Sequence, residues 1–267
     1  VEYGPTVIAA QRRRRSLDDL ITKTPADGLV GGLASINGSL FSGHDSRVVV
    51  MSYDYAVLAG TQGQQNHRKK DRLFEVAEKL QLPVVFFAEG GGGRPGDTDG
   101  LGVSGLDCWA FHDFAKLSGL VPLVGITGGF CFAGNAAILG CCDVVIALEG
   151  SNIGMGGPAM IEGGGLGVFA PQEIGPLSVQ QANGVVDLVA RDDAHAVDLA
   201  KKYLSFFQGS THDFTIHDQD QLRTAIPINR VKAYDVRRVI ELMFDVDSVL
   251  ELRSGFGLGM ITALARV

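Results

Sequence analysis

The sequence contains no apolar run approaching the ~18 residues that a membrane-crossing helix needs. It has no surplus of positive charge either. Lysine and arginine number 23 against 30 aspartate and glutamate, a net charge of −7, which argues against a general nucleic-acid binder. The four cysteines, Cys108, Cys131, Cys141 and Cys142, have no metal-ligand spacing, and the adjacent pair is a poor disulfide candidate. They read as reduced, small core residues of a cytoplasmic protein, and no metal site is expected. No GxSxG turn is present. The chain opens at Val1 without a signal peptide and closes inside a strand-like Ala263 to Val267, so further parts of the working protein are expected elsewhere.

Glycine, by contrast, is abundant at 36 residues, about twice the usual share. It concentrates between Gly125 and Gly167, around the strand-like Val144-Val145-Ile146-Ala147. Glycine is costly inside helices and strands. This density therefore predicts bare main chain brought close to a ligand, presenting N–H groups to it.

A hydrophobic share of 46% over 267 residues suits one large domain, or one domain and part of another. Strands are expected at Leu29–Ile36, Val48–Tyr53, Tyr55–Leu58, Pro83–Phe87, Val121–Ile126 and Val144–Ala147. Helices are expected within residues 1–24 and at Asn66–Leu80, Phe111–Ser118, Gly134–Leu139 and Asp193–Leu204. The plan repeats strand, strand, helix. Residues 210–233 are polar and proline-broken and read as a linker. A helix at Tyr234–Phe244 and strands at Val249–Leu252 and Met260–Leu264 follow, which places a domain boundary near 228–234.

Four segments are candidates for chemistry. The turn Thr127–Ala133 leads into Gly134-Asn135-Ala136-Ala137, where unpaired N–H groups suit an oxyanion; tight helix–sheet packing selects the same residues. Glu89-Gly90-Gly91-Gly92-Gly93-Arg94 ends an apolar strand and offers a second donor loop or a phosphate loop. No helix pattern follows these glycines, so a dinucleotide fold is excluded. His67-Arg68-Lys69-Lys70-Asp71-Arg72 starts a helix and reads either as a phosphate contact or as a solvated charge run. Gly154-Met155-Gly156-Gly157-Pro158, with Met160, reads as a pliable apolar wall or as core filler. The arginine run Arg12 to Arg15 reads as a solvated face or partner contact. Glu89 and Glu162 border glycine loops and are general-base candidates that nothing in the sequence pairs.

Together, the two glycine loops, the strand-strand-helix repeats and the basic helix start resemble the crotonase superfamily. The closer resemblance is to the carboxyltransferase (beta) component of biotin-dependent acyl-CoA carboxylases. It is carried by VVVMSYDYAVLAGTQG (48–63), NHRKKDRLFEVAEKLQLPVVFFAEGGGGRPGD (66–97), GFCFAGNAAILGCCDVVIA (129–147), SNIGMGGPAMIEGGGLG (151–167) and NGVVDLVARDDAHAVDLAKKYLSFF (183–207). The resemblance implies an α/β crotonase-like (ClpP/crotonase) spiral of repeated β-β-α units. It implies an N-terminal acyl-CoA domain at 1–230 and, at 231–267, the start of a C-terminal domain.

It further implies transfer of a carboxyl group from carboxybiotin, on a separate carrier, to the α or vinylogous carbon of an acyl-CoA. The carrier and biotin carboxylase are then partners, and an active site shared between protomers makes the protein a homo-oligomer. On this resemblance the N–H groups of Gly134 and Asn135 hold the thioester oxygen. Gly91 and Gly92, beside Arg94, flank the pantetheine. His67, Lys69, Lys70 and Arg72 face the CoA phosphates, and Met155, Gly156 and Gly157 line the acyl side. The alternative is a biotin-independent crotonase-type hydratase or isomerase, for which Glu162 is the candidate carboxylate.

Overall fold

The computed structural model describes residues 1–100 and 108–267. Its centre is a six-stranded sheet. β1 (Leu29–Ser35) lies antiparallel to β2 (Arg47–Tyr53), and β3 (Val84–Phe87), β4 (Leu123–Thr127), β6 (Val144–Leu148) and β8 (Leu188–Ala190) continue it in parallel, in the order β1-β2-β3-β4-β6-β8. β5 (Phe130–Phe132) and β7 (Asn152–Gly154) form a separate two-stranded parallel sheet. Every residue of β4 and four of the five in β6 are buried, which explains their continuous apolar sequence: a parallel sheet is covered on both faces.

Side-chain alternation divides those strands between two cores. Val49, Met51, Val84, Phe86 and Leu123 face a core shared with Leu73, Phe74 and Ala77 of α2 (Gln64–Leu80) and with Phe114 of α3 (Ala110–Lys116). Val48, Val85, Val124, Ile126 and Ile146 face the other, closed by Ala196, Ala200 and Leu204 of α7 (Asp193–Ser205). The hairpin of β9 (Leu250–Leu252) and β10 (Thr262–Leu264) adds Leu250 to that second core. Arg253, just past β9, donates from Nε to Asp187 at 2.6 Å. A third cluster joins Ala88, Cys131 and Val145 to Ala136 and Leu139 of α4 (Gly134–Gly140).

The strand-strand-helix repeat is present: β4, β5 and α4 make one unit, and β6, β7 and α5 (Pro158–Gly163) the next. α2 ends where Gln81 turns left-handed at φ 49°, and Leu82 N–H returns to the Ala77 carbonyl.

The expected strand Tyr55–Leu58 is instead a turn. Asp54 Oδ1 accepts from Ala56 N–H at 2.9 Å, and Leu58 and Ala59 have positive φ; the aspartate side chain supplies the turn. In residues 1–24 only α1 (Leu17–Lys23) is helical, capped by Ser16 Oγ on Asp19 N–H. The arginine run precedes it in turns, with Arg12 held by Asp99. Leu177–Ala182 forms α6, a helix the glycine-rich pattern hid. The proline-broken stretch holds a 3-10 turn (Gln219–Gln221) and the short α8 (Leu222–Ala225), before α9 (Val236–Met243). Of the cysteines, Cys131 is buried, whereas Cys141 is exposed rather than in the core.

Candidate active site

The sheet carries two loops to one place. The loop after β3 pairs Gly90 with β5: Gly90 N–H donates to Phe130 O at 2.8 Å, and Phe132 N–H donates to Gly90 O at 2.9 Å. Gly90 has to be glycine, because a Cβ there would lie 2.2 Å from Gly60 O and 2.3 Å from Asn135 Nδ2. Gly92 meets the second loop. It has φ +85°, and a Cβ would lie 2.6 Å from that of Ala133 and 3.6 Å from Gly134 N.

The second loop turns at Ala133, held at φ 51°, ψ −121° immediately before α4. Such a conformation costs a non-glycine residue on the order of 1–3 kcal/mol and persists only where neighbours enforce it. Here Ala133 N–H is fixed on Gly154 O at 2.9 Å. The N–H groups of Gly134 and Asn135 have no acceptor among the described residues.

Asn135 has a second role that its sequence position did not reveal. Its side chain is fully buried and uses all four of its bonding positions. Oδ1 accepts from Gly92 N–H and from Gln62 Nε2, each at 3.1 Å; Nδ2 donates to Glu89 O at 3.1 Å and Gly60 O at 3.4 Å. One amide thus ties α4 to the Glu89–Gly92 loop and to the Gly60–Gln62 turn. Gln62, overlooked in the sequence, stands at its centre: Gln62 N–H also donates to Gly92 O at 2.7 Å, and Arg94 N–H to Gln62 O at 2.9 Å.

The basic helix start is not a solvent-facing phosphate patch. Lys69 and Lys70 are buried. Lys69 Nζ donates to the carbonyls of Ala26 and Leu29, and Lys70 Nζ donates to Gln62 Oε1 at 2.7 Å and lies 5.4 Å over the Tyr53 ring. Burial, which disfavours the charged form, lowers Lys69 and brings Lys70 down to about 7. His67 sits with Nδ1 2.9 Å from Cys108 Sγ, and burial, with Lys70 and Arg94 nearby, brings it down to about 3.

Arg94 is equally internal, paired with the fully buried Asp27 and donating to Thr61 O at 2.8 Å and Thr61 Oγ1 at 3.1 Å. Arg72 is exposed and paired with Glu75 at 2.7 Å. It lines a 410 Å³ hollow with Arg68, Trp109 and the carboxylates Asp71, Glu75 and Asp113; their charge leaves that hollow unsuited to phosphate.

The structure therefore brings Gly91, Gly92, Gly134 and Asn135 together, with Met155, Gly156 and Gly157 alongside. Gly154 O holds Ala133, a Cβ on Gly157 would meet Phe132 at 3.4 Å, and Met155 is exposed. Next to Gly91, whose Cβ would meet Thr61 at 3.2 Å, opens a cleft of about 510 Å³. It is lined by Gln11, Arg14, Arg15, Leu58, Thr61, Arg94 and Pro95, with no carboxylate among them. The arginine run, read as a solvated face, supplies two of its cations, Arg14 donating to Gly96 O at 3.3 Å and Arg15 lying 3.7 Å from Asp19; no local sequence signal linked residues 14–15 to residues 58–61.

The carboxyl transferase domain model matches residues 6–267. The chain belongs to that family. It is 31% identical over 254 residues to the methylmalonyl-CoA carboxyltransferase 12S subunit of Propionibacterium freudenreichii subsp. shermanii, covering 91% of this chain and 46% of that protein. It is 29% identical to the biotin-dependent long chain acyl-coenzyme A carboxylase beta4 subunit of Mycobacterium tuberculosis, covering 90% and 47%. Among solved structures, a single-chain, multi-domain long-chain acyl-CoA carboxylase superimposes with a TM-score of 0.96 at 60% identity, over 100% of this chain and 26% of that one. The transcarboxylase 12S hexamer, solved with hydrolysed methylmalonyl-CoA bound, gives 0.80 at 29% identity, over 100% and 51%.

The chain thus spans about half the length of the curated relatives it matches. Its fold is the crotonase-like α/β fold of the carboxyltransferases. Among the described residues no helix is long and apolar enough to cross a membrane.

Proposed function

We propose that this chain is the acyl-CoA-binding carboxyl transferase domain of a biotin-dependent acyl-CoA carboxylase, with 1–230 as its N-terminal domain and 231–267 opening the next. The observation that carries this reading is the meeting of Gly92 with the Ala133–Asn135 turn, where two main-chain N–H groups have no acceptor among the described residues. Aimed at a thioester carbonyl, they stabilise the enolate oxygen that forms when the α-proton leaves. One such donor is worth ~10²–10³ in rate. Gly91 and Gly92 leave room for the pantetheine, and Arg14 and Arg15 replace His67, Lys69, Lys70 and Arg72 as the cations for the CoA phosphates.

Carboxybiotin, delivered by a carrier domain or subunit, supplies the carboxyl group. Its own donors are assigned to the second carboxyl transferase domain, so this chain's residues act on the acyl-CoA side. A biotin carboxylase and a second copy of the protein complete the assembly in this reading. The exposed Cys141 thiol supports a cytoplasmic setting.

Full-length carboxylase, assayed with ATP, bicarbonate and a panel of acyl-CoAs, is expected to fix bicarbonate into one of them. Hydration or isomerisation of an enoyl-CoA without biotin would replace this reading with the hydratase. That alternative has no structural support: its candidate carboxylate, Glu162, is exposed on α5.

A further inference from the structure

We propose that Lys70 is a positioning residue for carboxyl transfer, acting through Gln62 and the Asn135 side chain to hold the glycine loop against the Ala133–Asn135 turn. The inference rests on the reading of that turn as the thioester-oxygen site.

The geometry is a relay of fixed polarity. An ammonium group only donates, so Gln62 must turn Oε1 towards Lys70, at 2.7 Å. Its Nε2 then faces Asn135 Oδ1 at 3.1 Å. The same oxygen accepts Gly92 N–H at 3.1 Å, and the Asn135 Nδ2 is left for the carbonyls of Glu89 and Gly60. With Lys70 protonated, every terminal group of the relay is an obligate donor or an obligate acceptor, so both amides have a single satisfied orientation. Without the ammonium, Gln62 Oε1 is buried with no donor from Lys70, and the Gln62 side chain loses the contact that holds its Nε2 on Asn135 Oδ1. That loosening acts on the side chain whose backbone N–H is the proposed donor.

The cost of keeping Lys70 there supports a purpose beyond packing. It is among the largest fully buried side chains of the described residues, at 0% exposure, and burial favours its neutral form. An apolar residue of similar volume would fill the site without desolvating a charge. Its titratable surroundings are Tyr53 from β2, His67 and Asp71 from α2, and Cys108 and Arg94. None of these stands between Lys70 and Gln62.

The test compares Lys70→Met, Gln62→Met and the double variant in full-length carboxylase. Lys70→Met is expected to lower kcat on the order of 10²-fold, the effect of a misplacement near 1 Å, with the acyl-CoA KM within about twofold. The double variant is expected to be no slower than Gln62→Met alone, since both act through one contact. Multiplied losses, an unchanged kcat or a change confined to KM would each overturn the proposal.

Hydrogen exchange at Gly92 N–H gives a readout independent of turnover. It is expected to speed up about tenfold in both single variants while α7 keeps its protection. Unaltered exchange at Gly92 would overturn the relay whatever the activity. Wild-type enzyme that fixes no bicarbonate, alongside faster Gly92 exchange in the variants, would instead reject the functional reading and leave the relay standing.

Discussion

Removing the Asn135 side chain tests how the two loops are held. Asn135→Ala keeps the backbone N–H but strips partners from Gly92 N–H, Gln62 Nε2, Glu89 O and Gly60 O. A buried polar group left unsatisfied costs about 1–3 kcal/mol. At the low end, four such groups give about 4 kcal/mol, a large part of the roughly 5–15 kcal/mol that holds a typical domain together. Urea unfolding is expected to show that loss, and thermal unfolding a midpoint lower by about 8–16 °C.

Asn135→Asp sharpens the test, because an ionised Oδ2 would face the two carbonyls that Nδ2 now serves. It is expected to be as damaging as alanine near neutral pH and to recover part of its stability in mild acid, where the protonated carboxyl donates. A loss below about 1 kcal/mol for Asn135→Ala would refute the four-bond account.

Asp27→Asn takes the nearer carboxylate from the buried Arg94 guanidinium and leaves Asp97 at 3.8 Å, and is expected to cost about 1–3 kcal/mol in urea unfolding. A weakened acyl-CoA KM at full stability would return Arg94 to the ligand. Arg14→Ala and Arg15→Ala are each expected to raise the CoA dissociation constant about tenfold and to flatten its salt dependence, while Arg12→Ala, its side chain already on Asp99, leaves it unchanged in calorimetry. His67 takes up a proton far more readily when unfolded than at its folded value of about 3. Stability should therefore fall as pH drops from about 6.5 towards 3, and His67→Asn should blunt that limb. Lys70 has the same sign at higher pH: its folded value of about 7 lies below the unfolded 10.5, so its contribution rises between those limits and Lys70→Met should remove the rise. Gly92→Ala, whose methyl would meet Ala133 at 2.6 Å, is expected to lower kcat by ~10²–10³-fold; normal turnover would separate Gly92 from the site.

Most of the fold was legible because its signals are local. Buried parallel strands read as short apolar runs, and the helical period puts Leu73, Val76, Ala77 and Leu80 on one side of α2, of which the structure buries Leu73 and Ala77, together with Phe74, and exposes Leu80. The repeat was visible because each unit restates the same punctuation. Where the reading failed, a side chain took over a backbone task. Asp54 made a turn out of an expected strand, and α6 hid among glycines and prolines that suggest loop. At the site, the glycines were legible because close approach leaves no room for a side chain. The partners of Lys70, Arg94 and Asn135 were not, since each bond spans residues far apart in the chain.

The misread cations show why this site looks so plain in sequence. A run of lysine and arginine at a helix start suggests a surface that attracts phosphate. Two of those charges, with Arg94, are instead turned inward, onto Asp27, Gln62 and the carbonyls of Ala26, Leu29 and Thr61. Each of those acceptors lies on a segment flanking the two glycine loops. A catalytic group made of main-chain N–H cannot be tuned by its own side chain; only the placement of its loop can be adjusted. Charged groups are effective for that task because, once buried, they tolerate few alternative arrangements. In the proposed function the charged residues around this centre therefore serve mainly as fasteners, and the chemistry falls to backbone that carries no side-chain signature.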